Sequence, residues 1–199
     1  MQDTYAQKTH KGFSFELGRT ALPSSGIKRD QSKPTLGFGM RGFIQKPINK
    51  QFNVKAAAAL YLAGDKFEDF KMRIEGHNGD FDELRYRMGY LSLAILAQFH
   101  TKKKILQFYG SIGPEPSFML FVNGKAPSGT PCIIYTDTEF RRMQLNITGK
   151  LGIQVQYSLK KRLLFSLIAS SSMHNIVKTG PATFYNQHVF LSVGHSVKL

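Results

Sequence analysis

From Met143 to Lys160 the chain alternates without a break. Met143, Leu145, Ile147, Gly149, Leu151, Ile153, Val155, Tyr157 and Leu159 form one phase; Gln144, Asn146, Thr148, Lys150, Gly152, Gln154, Gln156, Ser158 and Lys160 form the other. A strand points successive side chains to opposite faces, so the pattern predicts a ribbon with one apolar and one polar face. It is far longer than a strand of about five or six residues. A long strand that is apolar on one side and polar on the other suits a barrel in a lipid bilayer, with the apolar phase outward.

The alternation recurs. Phe13, Phe15 and Leu17 interleave with Ser14 and Glu16, and Leu36, Phe38, Met40, Gly42 and Ile44 with Gly37, Gly39, Arg41 and Phe43. Further runs centre on 52–62, 84–99, 106–113, 163–170 and 188–199, which makes eight candidate strands. Short turns are expected near 47–50, 100–104 and 160–162, and longer connections near 22–34, 64–83, 117–140 and 177–187. Short connections on one side and long ones on the other predict an all-β, eight-stranded antiparallel up-and-down transmembrane barrel. It would occupy residues 12–199, with 1–11 as a periplasmic tail. Pro34, Pro47, Pro114 and Pro116 are expected at strand ends, where a missing donor is tolerated. The alanines at 56–59 favour helix by propensity, but Lys55 and Tyr61 keep the strand period. A short loop helix could form at 65–75 or 135–143.

Composition sharpens this picture. No run reaches the ~18–20 apolar residues of a membrane helix. The chain carries 27 Lys+Arg against 13 Asp+Glu, a net +14, which points to a polyanionic or membrane-surface partner or to a solvated basic face. The opening Met1-Gln2-Asp3-Thr4-Tyr5 lacks the basic-then-apolar pattern of a secretory signal, so the outer-membrane reading takes the signal as already removed. Cys132 is the only cysteine; it has no partner for a disulfide and no local signature of a nucleophile.

Three stretches carry a family likeness. Lys33-Pro34-Thr35-Leu36-Gly37-Phe38-Gly39-Met40-Arg41-Gly42, the segment Tyr90–Phe99, and the terminal Val189–Leu199 resemble the second, a middle and the last strand of the Bacteroidetes PorT-like outer-membrane barrels. These share their architecture with the eight-stranded OmpA/OmpX barrels. The chain departs from the pattern in Ser92 and Ala94, which replace the usual acid and proline, and in Leu199, where an aromatic residue normally ends the barrel. The resemblance implies a bacterial outer-membrane protein without enzymatic activity; some members assist protein secretion.

Candidate chemistry follows from the phases. Glu16, Arg41, Lys55, Glu115, Lys150 and Gln154 fall in the polar phase, so they are expected to form a lumen-facing network. Eight strands enclose a space just wide enough for side chains to fill, and charges there must pair or stay hydrated. A structural plug is favoured over an ion pathway. Arg85, Arg87, Arg141 and Arg142 are expected where strands leave the membrane, a basic belt suited to the phosphates of lipopolysaccharide. Phe52, Phe99, Phe108, Tyr157 and Phe165 supply an aromatic girdle near the short turns. Gly37-x-Gly39-x-x-Gly42 matches a dinucleotide fingerprint, but the strand period continues through it and no helix follows. The six histidines show no zinc spacing, and His195 falls in the outward phase of the last strand. No catalytic, cofactor or metal residue is nominated, and nucleic acid is not expected as a partner. The leading expectation is a structural or accessory subunit of an envelope or secretion assembly, in contact with outer-membrane lipid and other envelope proteins. A narrow channel and a soluble lipocalin-like barrel are the alternatives; an outer-membrane protease or acylase barrel is a further one, for which the sequence nominates no nucleophile and base.

Overall fold

The computed structural model describes residues 9–23, 32–74, 77–101, 105–125, 131–132, 141–176 and 185–199. The strands run β1 (His10–Ala21), β2 (Ser32–Pro47), β3 (Phe52–Ile74), β4 (His77–His100), β5 (Leu106–Lys125), β6 (Pro131–Cys132), β7 (Met143–Gln156), β8 (Lys161–Ser172) and β9 (Gln187–Lys198). β6 is a two-residue ladder on the end of β5. The other eight strands close a ring, each antiparallel to its neighbours, with β9 against β1 and β4 against β5. A closed ring leaves no unpaired sheet edge, the condition for strands to cross a bilayer.

Register sets the shape. Starting at Gly89 and stepping through Leu62, Phe38, Leu17, Leu191, Leu167, Leu151 and Gly110, the ladder returns to β4 at Phe99, ten residues further on. Ten residues of stagger are about 33 Å, against roughly 38 Å for eight strand spacings, so the strands tilt by about 40°. At that tilt a twelve-residue strand such as β1 rises roughly 30 Å, enough to cross an apolar band of ~25 Å.

The outward face is apolar and the inward face polar. On β7, Leu151 is 69 % exposed while Gln154 is 2 % exposed. Phe13, Phe38, Ile95, Ile112 and Leu191 face outward in the same way, and Ser14, Glu16, Arg41, Ser92, Gln98 and Thr148 are buried inside. This is the opposite of a lipocalin-like barrel, whose apolar residues would fill the cavity. No helix among the described residues is long and apolar enough to cross a membrane.

Several expectations need correction. Residues 65–74 and 77–83 are strand, not loop or helix: the β3–β4 ladder continues to Ile74↔His77. Residues 117–125 likewise extend β5. β7 ends at Gln156 rather than near residue 160, because Ser158 and Lys161 close the turn by exchanging backbone hydrogen bonds. β1 starts at His10, two residues before the expected start of the barrel; a tail over 1–8 lies outside the described residues, as do 135–140.

Pro114 and Pro116 sit inside β5, not at its end. The β4–β5 ladder has no pairs between Ser92↔Ser117 and Ala97↔Ile112, so both prolines lie where that ladder lapses and their missing N–H groups break no pairing with β4.

Glycine makes room inside. A Cβ on Gly37 would lie 2.5 Å from Thr20 Cγ2 and 3.0 Å from Phe190 Cε1. Gly37→Val is therefore expected to destabilise the barrel by roughly 1–3 kcal/mol through overpacking, seen as a lower urea midpoint for loss of the compact band on an unboiled gel.

Candidate functional site

The lumen is filled in three tiers. The middle tier is ionic. Arg41 on β2 is 1 % exposed; its Nε donates to Glu16 Oε1 at 2.7 Å. Its two terminal nitrogens donate to Glu115 on β5, at 3.2 Å and 3.1 Å. Ser92 Oγ on β4 donates to Glu115 Oε1 at 2.6 Å, and Lys150 Nζ on β7 lies 3.6 Å from Glu16 Oε1. The planar guanidinium is thus forked between two carboxylates on different strands. One side chain spans from the β1–β2 wall to the β4–β5 wall.

The tier towards the short turns is built differently. Lys55 does not join the carboxylates as expected: its Nζ lies 3.6 Å from the ring centroid of Phe43, a cation–π contact. Phe43 belongs to a buried apolar cluster with Ala57, Ala94, Leu96, Tyr109 and Leu164. Gln154 also lies in this tier, donating from its amide to Gln107. Of the six residues expected in one network, Glu16, Arg41, Glu115 and Lys150 come together, and Lys55 and Gln154 do not.

Towards the long connections the fill is aromatic. Tyr61 stacks on Tyr90 with ring centroids 5.1 Å apart, and His188 sits 5.0 Å from Tyr61 and 4.8 Å from Phe190. Met88, Ile168 and Ile176 belong to the same buried cluster as Tyr61, Tyr90 and Phe190. An amide–hydroxyl relay borders it: Gln144 donates to Tyr90 Oη, and Asn146 donates to Ser117 Oγ, which also accepts from Tyr61. Buried polar atoms of His188, Asn146 and Asn186 above the ionic tier, and of Gln98 and Ser111 below it, lack a hydrogen-bond partner among the described residues.

The strand period places Ser92, Tyr61 and His188 in the inward phase, but it carries no sign that they and Tyr90 meet. Their meeting depends on which strands lie across the lumen. Gly37-x-Gly39-x-x-Gly42 lies wholly within β2, with no helix N-terminus to hold a pyrophosphate. No group of three His, Cys, Asp or Glu side chains among the described residues could hold a metal.

The four belt arginines are all exposed. Arg141 and Arg142 directly precede β7; the Arg141 N–H donates to Ile176 O and Arg142 O accepts from Met119. Arg85 and Arg87 lie within β4 rather than at its end, because the β3–β4 hairpin continues beyond them. β4 and β7 flank β5, so the four share one arc of the rim near the long connections.

A family described as "Outer membrane protein beta-barrel domain" matches residues 5–178. No curated protein matches the sequence. Among solved structures the chain is similar to Neisserial surface protein A (TM-score 0.53, 13 % identity, covering 95 % of this chain and 97 % of that one). It is also similar to the outer membrane protease OmpT from Escherichia coli (TM-score 0.51, 7 % identity, 96 % and 97 % covered), and more distantly to Ail, the attachment invasion locus protein of Yersinia pestis (TM-score 0.46, 12 % identity, 94 % and 99 % covered). At these identities the likeness is one of fold.

Proposed function

The chain belongs to the outer membrane protein β-barrel domain family, and on that premise we propose that it is a non-enzymatic barrel with a plugged lumen. It would serve as a structural or accessory subunit of an envelope or secretion assembly. The supporting observation is the Glu16–Arg41–Glu115 bridge, closed by Ser92 and Lys150. It fills the middle of the lumen with ions that satisfy one another, leaving exposed surface for function. Glu16, Arg41, Glu115 and Lys150 are held by one another rather than poised on a substrate, which favours a non-enzymatic role; the likeness to OmpT is one of fold alone. The PorT-like resemblance supplies the class of role, in which a rigid barrel presents loops on one side and basic turns on the other. The arginine arc of Arg85, Arg87, Arg141 and Arg142 is read as the contact to lipopolysaccharide phosphates.

Planar-bilayer recording of the refolded protein tests the plug: no ion conductance is expected from the natural sequence. Stable single-channel steps would establish the alternative, a narrow channel. That alternative draws its support from the unpartnered polar atoms on both sides of the ionic tier, which suit hydration. The arginine arc is tested separately: replacing all four arginines with Gln should weaken lipopolysaccharide retention on the detergent-extracted protein by about tenfold or more, and unchanged retention removes that contact.

A further inference from the structure

Among the described residues, the short-turn rim at β1, β8 and β9 is free of acidic side chains. Residues 9–15 and 143–199 contain no Asp or Glu, and the short-turn ends of β1, β8 and β9 all lie in these segments. On their outer wall the register lines up Lys11, Val197 and Lys161. The two lysines are exposed and stand two strand spacings apart, roughly 10 Å. Lys160, in the adjoining turn, is a third exposed cation.

One pair closer to the membrane centre, the same three strands carry Phe13, His195 and Leu163. The Tyr157 hydroxyl lies 2.7 Å from His195 Nε2, and the Phe13 ring lies 6.2 Å from the His195 ring. Next come Phe15, Val193 and Phe165. There a depression of about 410 Å³ opens on the outer wall of β7, β8 and β9, lined chiefly by Leu151, Ile153, Phe165, Leu167, Leu191 and Val193. Reading from the rim inward, the order is paired ammonium groups, then an aromatic hydrogen-bonding pair, then an apolar groove.

We propose that this wall is a binding site for an anionic phospholipid of the leaflet at the short-turn rim. Lys11 and Lys161 clamp the phosphate by charge-assisted hydrogen bonds, their methylene stems lying along the apolar wall. The Tyr157–His195 pair meets the polar headgroup and glycerol region, the depth at which amphipathic rings settle. The groove receives an acyl chain through dispersion contacts. A free phosphate would engage only the cations, and an acidic protein would have no use for a groove that opens into the hydrocarbon; the continuity of the three tiers points to a lipid. This site is distinct from the arginine arc on β4 and β7, which lies at the opposite end of the barrel.

Native mass spectrometry of the folded protein in neutral detergent tests the proposal, with phosphatidylglycerol and phosphatidylcholine of identical chains as probes. Phosphatidylglycerol should be retained about thirtyfold better than phosphatidylcholine, as two surface lysines imply. The K11Q/K161Q double variant should lose that preference, and V193W, which fills the groove, should lower retention of both lipids. Each variant is first shown to be folded by its mobility shift on boiling. Equal retention of the two lipids by the natural protein, a preference that survives K11Q/K161Q, or displacement of phosphatidylglycerol by inorganic phosphate would each overturn the site.

Discussion

Replacing Arg41 with Leu should cost the barrel about 3–5 kcal/mol, the penalty for leaving buried charge without its partner. Arg41 holds Glu16 at 2.7 Å and Glu115 at 3.1 Å, and all three side chains are essentially inaccessible to water. In Arg41→Leu the two carboxylates keep Lys150, 3.6 Å from Glu16, and the Ser92 hydroxyl on Glu115, but lose the guanidinium that joined them. Arg41→Lys keeps the charge but not the fork, and should fall between the variant and the natural protein. Urea titration in detergent, scored by the fraction keeping the compact unboiled mobility, gives the order. A triple change, Arg41→Met with Glu16→Gln and Glu115→Gln, should recover most of the loss, because the cost lies in the unpaired ions rather than in the missing bridge. If Arg41→Leu shifts the midpoint by less than ~1 kcal/mol, the carboxylates are hydrated and the lumen is not a plug.

The second large effect lies on the outer wall. Leu191, in the middle of β9 and 68 % exposed, faces acyl chains, so Leu191→Arg should destabilise the barrel by roughly 2–4 kcal/mol, as cations do near the bilayer midplane. Its neighbour Ser192 faces the lumen and is buried; Ser192→Ala should change stability by under about 1 kcal/mol. The folded yield in phospholipid vesicles separates the two. The reverse ranking would mean that the two faces of β9 had been exchanged.

The orientation of β7 was legible because lipid imposes a two-residue period on the outer wall, as in Leu151, Ile153 and Val155; β4 and β8 read less cleanly, because Leu96, Leu164 and Ile168 make their inner phase apolar too. That signal fades where the wall leaves the membrane. Between Asp65 and Glu83 neither face needs to be apolar, so a strand-forming segment reads as a charged loop. Pro114 and Pro116 misled because a rule about strand interiors assumes an unbroken ladder, and the lapse opposite β4 is a property of the assembled sheet. The inward direction of Arg41, Glu16 and Glu115 was plain from phase, but their meeting was not. It depends on a ten-residue stagger that brings β2 and β5 to face each other, and no local pattern encodes it. Lys55 illustrates the same limit: its phase was right, yet its neighbour is the Phe43 ring and not a carboxylate.

The hydrogen bond from Leu199 N to Thr9 O, 2.9 Å long, has a practical consequence for fusion. It fixes the two described ends of the chain side by side, at the end of the barrel where the short turns lie. Split halves of a reporter joined at Thr9 and at Leu199 would start from neighbouring points on the same end of the barrel, close enough to reassemble.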